Sequence, residues 1–200
     1  FNHSVDVAPT KPCLFADLIE DEVRSWIPAR VYQRMRSGHE EYLAEIRPAV
    51  ALFMQFGGIA YDDDPQAGQK LDVFVRHVQT ILTRYEGFLV QLTIGDKGSY
   101  LYASFGAPIS HDDDALRTAA VARKLAVSAE AFDFITFVKI GISQGLVRSG
   151  PYGSQQRRTY GIQGEDVNLA ARLMQLAKPG QIVVSRRVMT RARRGHAFRE

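Results

Sequence analysis

The stretch AVALFMQFGG, residues 49–58, is an apolar run of the kind that becomes a buried strand, and it constrains the fold more than any other segment. Its one amide, Gln55, needs a hydrogen-bonding partner in such a setting. After it, Leu71, Phe74, Val75, Val78, Ile81, Leu82 and Tyr85 recur at helical spacing, and Gly87 follows as a stop. FLVQLTIGDKGSYLYASFG holds two apolar runs around GDKGS, a hairpin signature. An alanine-rich helix over 113–129 leads to a strand in TFVKIGISQGLVRSG. RRTYGIQ then reads as a short strand, GEDVNLAARLMQLA as a helix, GQIVVS as a strand and the basic end as a last helix. The order β α β β α β (β) α β α predicts an α+β fold, a ferredoxin-like βαββαβ core with helices on one face of its sheet.

With 200 residues and 46% hydrophobic content, one domain of ordinary size plus an appendage is expected. Residues 1–46 form the appendage: a linker with two prolines over 1–12, then a docking helix over 21–36 with Val23, Trp26, Ile27, Val31 and Met35 at helical spacing and Gly38 as its stop. The domain proper is residues 47–200, and the opening Phe1 reads as the start of a piece of a longer protein. A lone cysteine, Cys13, excludes a disulfide framework and a cysteine-based zinc site, and it fits a reducing, cytoplasmic setting. No window reaches the ~18 uninterrupted apolar residues of a membrane span, and the opening lacks a signal-peptide layout, so no membrane partner is expected.

The formal charge of +3 is local, because Arg186, Arg187, Arg191, Arg193, Arg194 and Arg199 sit near the end and the chain without them carries −3. Those arginines read either as a solvated helix face that packs on a neighbouring module or as a phosphate-binding patch. No aromatic residues interleave with them, so no nucleic-acid partner is expected. Two acidic triplets, Asp62 to Asp64 and Asp112 to Asp114, precede helices, where carboxylates cap free amides and meet the positive end of the dipole. His111 beside the second has no further His or Cys at ligand spacing, so the triplets are not read as metal sites. No catalytic Ser-His-Asp order, Walker loop or dinucleotide fingerprint is present.

GEDVNLAARLMQLAKPGQIVVS carries more. Asn168 and Arg172 stand four apart and project from one face of a helix, with Val167, Leu169, Leu173 and Leu176 on its apolar side. An amide beside a guanidinium can hold a sugar oxygen and a developing phosphate charge, although spacing alone also describes an ordinary amphipathic helix. The longer stretch IGISQGLVRSGPYGSQQRRTYGIQGEDVNLAARLMQLAKPGQIVVS closely resembles the second half of a class III nucleotidyl cyclase homology domain. TIGDKGSYLYASFGAP and RPAVALFMQFGG resemble the hairpin and first strand of that family, so the resemblance covers about Arg47 to Ser185.

The resemblance implies a domain that pairs head to tail with another, with ATP or GTP bound between them. In the family the ribose 3′ oxygen attacks the α-phosphate and pyrophosphate leaves, with two Mg²⁺ ions held by two aspartates. Gln55 occupies the first of those positions, and an amide is a poor ligand for a hard cation. Asp96 matches the second by wording, yet the longer hairpin also allows it to be a turn residue. At the purine-reading positions stand Leu92, or Gln91 if the hairpin is aligned from its far end, and Gly161. Asn168 and Arg172 match the residues that orient the ribose and stabilise the pentavalent phosphate.

This pattern is similar to the second, metal-deficient domain of tandem soluble-type adenylyl cyclases. It implies half of a composite ATP site for cyclic nucleotide signalling, inactive alone, with Mg²⁺ held mainly by a metal-competent partner domain of the same parent chain. The isolated fragment is expected to be able to pair with itself, and the alternative is a catalytically inactive pseudo-cyclase that binds or transmits.

Overall fold

A computed structural model describes residues 24, 27, 29–36, 44–95, 98–154 and 158–199. Two compact units divide between His39 and Glu40. In the first unit the described element is helix α1 (Ala29–Arg36), which falls in the second half of the docking helix expected over 21–36, and most of the first half lies outside the described residues.

The second unit is built around β1 (Glu45–Gly57), which pairs antiparallel with β3 (Ser99–Phe105) on one side and β4 (Phe137–Gly153) on the other. Successive side chains of β1 point to opposite faces. Val50, Leu52, Met54 and Phe56 meet Phe74, Val78 and Leu82 of α2 (Ala67–Arg84) together with Val121 and Leu125 of α3 (Asp114–Ala129). Ala49, Ala51 and Phe53 instead meet Ala170 and Met174 of α4 (Glu165–Leu176). An uninterrupted apolar run is what a strand covered on both faces requires.

β2 (Phe88–Thr93) and β5 (Arg158–Gln163) complete the order β2-β3-β1-β4-β5, while β6 (Ile182–Val184) pairs parallel with β4 and leads into α5 (Arg186–Ala192). This is the expected α+β, ferredoxin-like arrangement, with one correction. The helices do not share one face: α2 and α3 lie on one side of the sheet and α4 on the other. Another small correction concerns the end of α2. The left-handed residue there is Glu86, at φ 57°, and the amide of Gly87 returns to the Leu82 carbonyl at 2.9 Å. Gly87 is needed for a different reason, since a Cβ there would collide with the Phe105 ring.

Neither acidic triplet caps its helix through a side chain. Asp64 accepts from the Gln66 amide at 2.8 Å and from Lys70 Nζ at 2.7 Å, and the lysine holds its carboxyl below the usual aspartate range. Asp113 pairs with Arg117 Nε at 2.6 Å, which lowers it likewise. Asp114 is buried and accepts from the His111 amide at 2.9 Å, and the His111 ring lies between its carboxylate and Glu86.

Burial pushes the Asp114 carboxyl above its usual range, against the hydrogen bonds from His111. The proton that the folded state holds therefore contributes stability at low pH, and this contribution is lost as pH rises through the raised value. Asp114→Asn keeps an oxygen acceptor for His111 and removes the titration. The melting temperature of the variant relative to the parent is thus expected to rise from pH 4 to pH 7. Thermal melts across that range check it, and a difference independent of pH would contradict it.

Candidate functional site

α4 is the element that presents Asn168 and Arg172, and its seating begins on β4. Gly141, Ser143 and Gly145 follow one another on the face of β4 that α4 covers. A Cβ at Gly141 would collide with the Ala170 carbonyl and the Met174 amide, so helix and strand backbones touch there. Ala170 is fully buried and Met174 nearly so, which fixes the inner side of the helix. Asn168 and Arg172 lie one turn apart on the exposed side, and no other described residue engages either side chain. Such a pair is available to a ligand arriving from solvent or from a partner domain.

Gln55 lies on the same sheet face as α4, since Phe53, two residues before it, packs in the core beneath that helix. It stands opposite Tyr100 of β3 and Lys139 of β4 and is half-buried. Its Nε2 is the atom that a Cβ on Gly98 would approach, at 3.0 Å, so the amide sits beside the turn that joins β2 and β3. The structure thus brings Gln55 to the hairpin, but Asp96, in the sequence between β2 and β3, lies outside the described residues. Lys139 was not singled out in the sequence; its Nζ donates to the Gln175 carbonyl of α4 at 3.3 Å. A neutral amide with a lysine across from it is a donor set that does not suit a divalent cation. Among the described residues no group of three or more His, Cys, Asp or Glu side chains is placed to hold a metal.

The base-reading positions differ in their surroundings. Gln91 is exposed opposite Tyr102 and donates to Thr93 Oγ1 at 3.0 Å, whereas Leu92 packs against the core under α2 and α3. As strand neighbours they point to opposite faces, and a bulge between Leu89 and Gln91 sets that Leu92 is the one turned to the core. Gly161 is buried, and a Cβ there would stand 3.1 Å from the Tyr152 ring and 3.4 Å from Val90. The two ends of the sheet meet over this face: Tyr102 Oη donates to the Ile162 carbonyl at 3.1 Å, and the Phe88 and Tyr160 rings lie 6.1 Å apart. Tyr102 also stacks on Phe53 at 4.5 Å, and its burial pushes the phenol far up, which keeps it a neutral donor.

Of the terminal arginines, Arg187, though largely exposed, donates to the Gln144 carbonyl at 3.1 Å and lies 3.8 Å from Asp166. Arg186 and Arg199 border a cavity of about 990 Å³ together with Arg123 and His196. Asp166 and Ser143, joined at 2.7 Å, also escaped the sequence reading. The signal was there in the two glycines that flank Ser143, which mark a strand face that something approaches closely.

The family model for the adenylate and guanylate cyclase catalytic domain matches residues 63–199. The chain belongs to that family. Among curated proteins, this cyclase domain is 30% identical over 139 residues to human adenylate cyclase type 10, covering 66% of this chain and 8% of that protein. It is 40% identical over 95 residues to an uncharacterized protein of Mycobacterium tuberculosis, 44% of this chain and 16% of the other. The domain therefore spans a small part of the curated relatives it matches. Among solved structures, the guanylyl cyclase Cya2 superposes with a TM-score of 0.66 at 25% identity over 74% of this chain and 80% of that one. The adenylyl cyclase CyaB from P. aeruginosa gives 0.69 at 19% identity over 76% and 83%, a likeness of fold. Among the described residues no helix of this cyclase domain is long and apolar enough to cross a membrane.

Proposed function

We propose that this cyclase domain is the second half of a composite adenylyl cyclase site. It contributes Asn168 to orient the ribose and Arg172 to stabilise charge on the α-phosphate, while Mg²⁺ is held mainly by a partner domain. The observation that carries this reading is the exposed Asn168 and Arg172 pair on α4, on the same side of the sheet as an amide, Gln55, in place of a carboxylate. The donor set around Gln55 does not fit a metal, so no step is assigned to a metal on this chain. The adenylyl preference draws on the relatives named adenylate cyclase type 10. The division at residues 46 and 47, with a connecting helix before the cyclase domain, belongs to the same reading, as does a cytoplasmic location.

Complementation tests it. This chain and a metal-competent first domain are expected to be inactive apart and to form cyclic AMP from ATP and Mg²⁺ when mixed. Equal inactivity of the mixture, with no heat of nucleotide binding by calorimetry, would sink the half-site. A second reading, a pseudo-cyclase that binds without catalysing, is favoured by Gly161, which has no base-reading side chain and where Tyr152 and Val90 crowd the place of a Cβ. ATP binding by a mixture that forms no cyclic AMP would decide for it. Asp96 as a metal ligand and Gln91 as a base contact remain part of the first reading, each testable by alanine substitution in an active mixture.

A further inference from the structure

We propose that Asp166 is a positioning residue for Asn168 and Arg172: anchored on Ser143 of β4 and facing Arg187 of α5, it fixes the first turn of α4 and the direction in which the pair projects. The inference rests on the half-site reading and deepens it.

Asp166 is the second residue of α4. Ser143 Oγ donates to its Oδ1 at 2.7 Å, and Ser143 is fully buried in the middle of β4, so this end of the contact cannot drift. Gly145, next on the same strand face, leaves the space that the carboxylate fills, since a Cβ there would fall on the carboxylate itself. The other oxygen, Oδ2, lies 3.8 Å from Arg187 Nη1, and the same nitrogen donates to the Gln144 carbonyl at 3.1 Å. One carboxylate thereby ties β4, α4 and α5 together. Val167 packs on the core beneath the helix, but among the described residues no other side-chain hydrogen bond holds this end. The residue before the helix is Gly164, which has no side chain to cap the free amides, and among the described residues the Ser143 bond is the one side-chain hydrogen bond in the first turn. Asn168 follows within two residues and Arg172 one turn later. A catalytic pair on a rigid helix transmits any tilt of that helix to the reacting atoms, where a shift of ~1 Å costs up to ~10²-fold.

The test uses the active mixture described above, with Arg172→Ala as the reference. Asp166→Ala is expected to lower kcat about tenfold and to leave KM for the nucleotide within about twofold, because the pair is misdirected while the binding surface stays. Asp166→Asn, whose amide oxygen still accepts from Ser143, should recover most of that loss. Ser143→Ala should behave like Asp166→Ala, and the double variant should be no worse than either, as expected of two members of one contact. Hydrogen exchange on the chain alone gives a second readout. Amides at the start of α4 should exchange faster in Asp166→Ala, whereas β1 and β3 stay as protected as in the parent. Activity within twofold of the parent in Asp166→Ala, or unchanged exchange at α4, overturns the proposal. Losses that multiply in the double variant overturn the Ser143 pairing. Failure of the half-site reading shows separately, as an Arg172→Ala variant with full activity.

Discussion

Arg172→Ala is expected to lower cyclic AMP formation by about 10²-fold or more in a mixture with a metal-competent partner domain, with its melting temperature close to that of the parent. The size follows from the role. A guanidinium aimed at charge that develops only in the transition state acts on kcat, and the loss of one such preorganised donor costs ~10²–10³-fold. The unchanged stability follows from the position: Arg172 is exposed and unengaged by other described residues, and such surface substitutions stay within ~0.5 kcal/mol. Arg172→Lys separates charge from shape, since lysine keeps the charge and loses the planar fork, and it should fall between the two. Steady-state rates with ATP and Mg²⁺, beside thermal melts of the same preparations, check both halves. Full activity in Arg172→Ala would remove the half-site.

The second large effect is on stability. Gly141→Val is expected to destabilise the domain by about 3 kcal/mol or more, which lowers Tm by roughly 6–12 °C for a domain of this size. The reason is what a Cβ would meet. At most crowded positions a flexible side chain can swing aside, but at Gly141 the obstacles are the Ala170 carbonyl and the Met174 amide, part of the helix backbone itself. To make room, α4 must lift from β4, and its packing of Ala170 and Met174 on Ala51 and Phe53 opens with it. Activity should fall together with stability here, in contrast to Arg172→Ala. Urea unfolding measures the change, and a cost below about 1 kcal/mol would mean that α4 does not rest on the strand backbone.

Much of the fold was legible in the sequence because its signals are local. The period of β1, the hairpin around Gly98 and the helical stripe of Phe74, Val78 and Leu82 each lie within one short window. The side of the sheet that α4 takes was not legible, since it depends on which face of β4 offers Gly141 and Gly145, and a strand's two faces are equivalent until its neighbours are placed. The site divides in the same way. Asn168 and Arg172 share a helix, and their pairing follows from spacing alone. Gln55, Lys139 and Gly98 meet through register between strands far apart in sequence, and the Ser143 bond to Asp166 joins residues 23 apart. Which of Gln91 and Leu92 faces the core depends on a bulge that no turn residue announces.

The pairing of β1 with β4 also sets an order of events during synthesis. Residues of β1 find their β4 partners on the order of a hundred positions later, as in Glu45 with Ser149 and Gly57 with Phe137. At ~5–20 residues per second the ribosome needs several seconds to deliver that partner. Through this interval β1, an apolar strand covered on both faces in the folded domain, can have only the β2–β3 hairpin, α2 and α3 as cover, and its α4 face must wait longer still. A nascent chain arrested before residue 137 should therefore be a strong client for chaperones that hold exposed apolar strands, and one extended past residue 176 should be released from them.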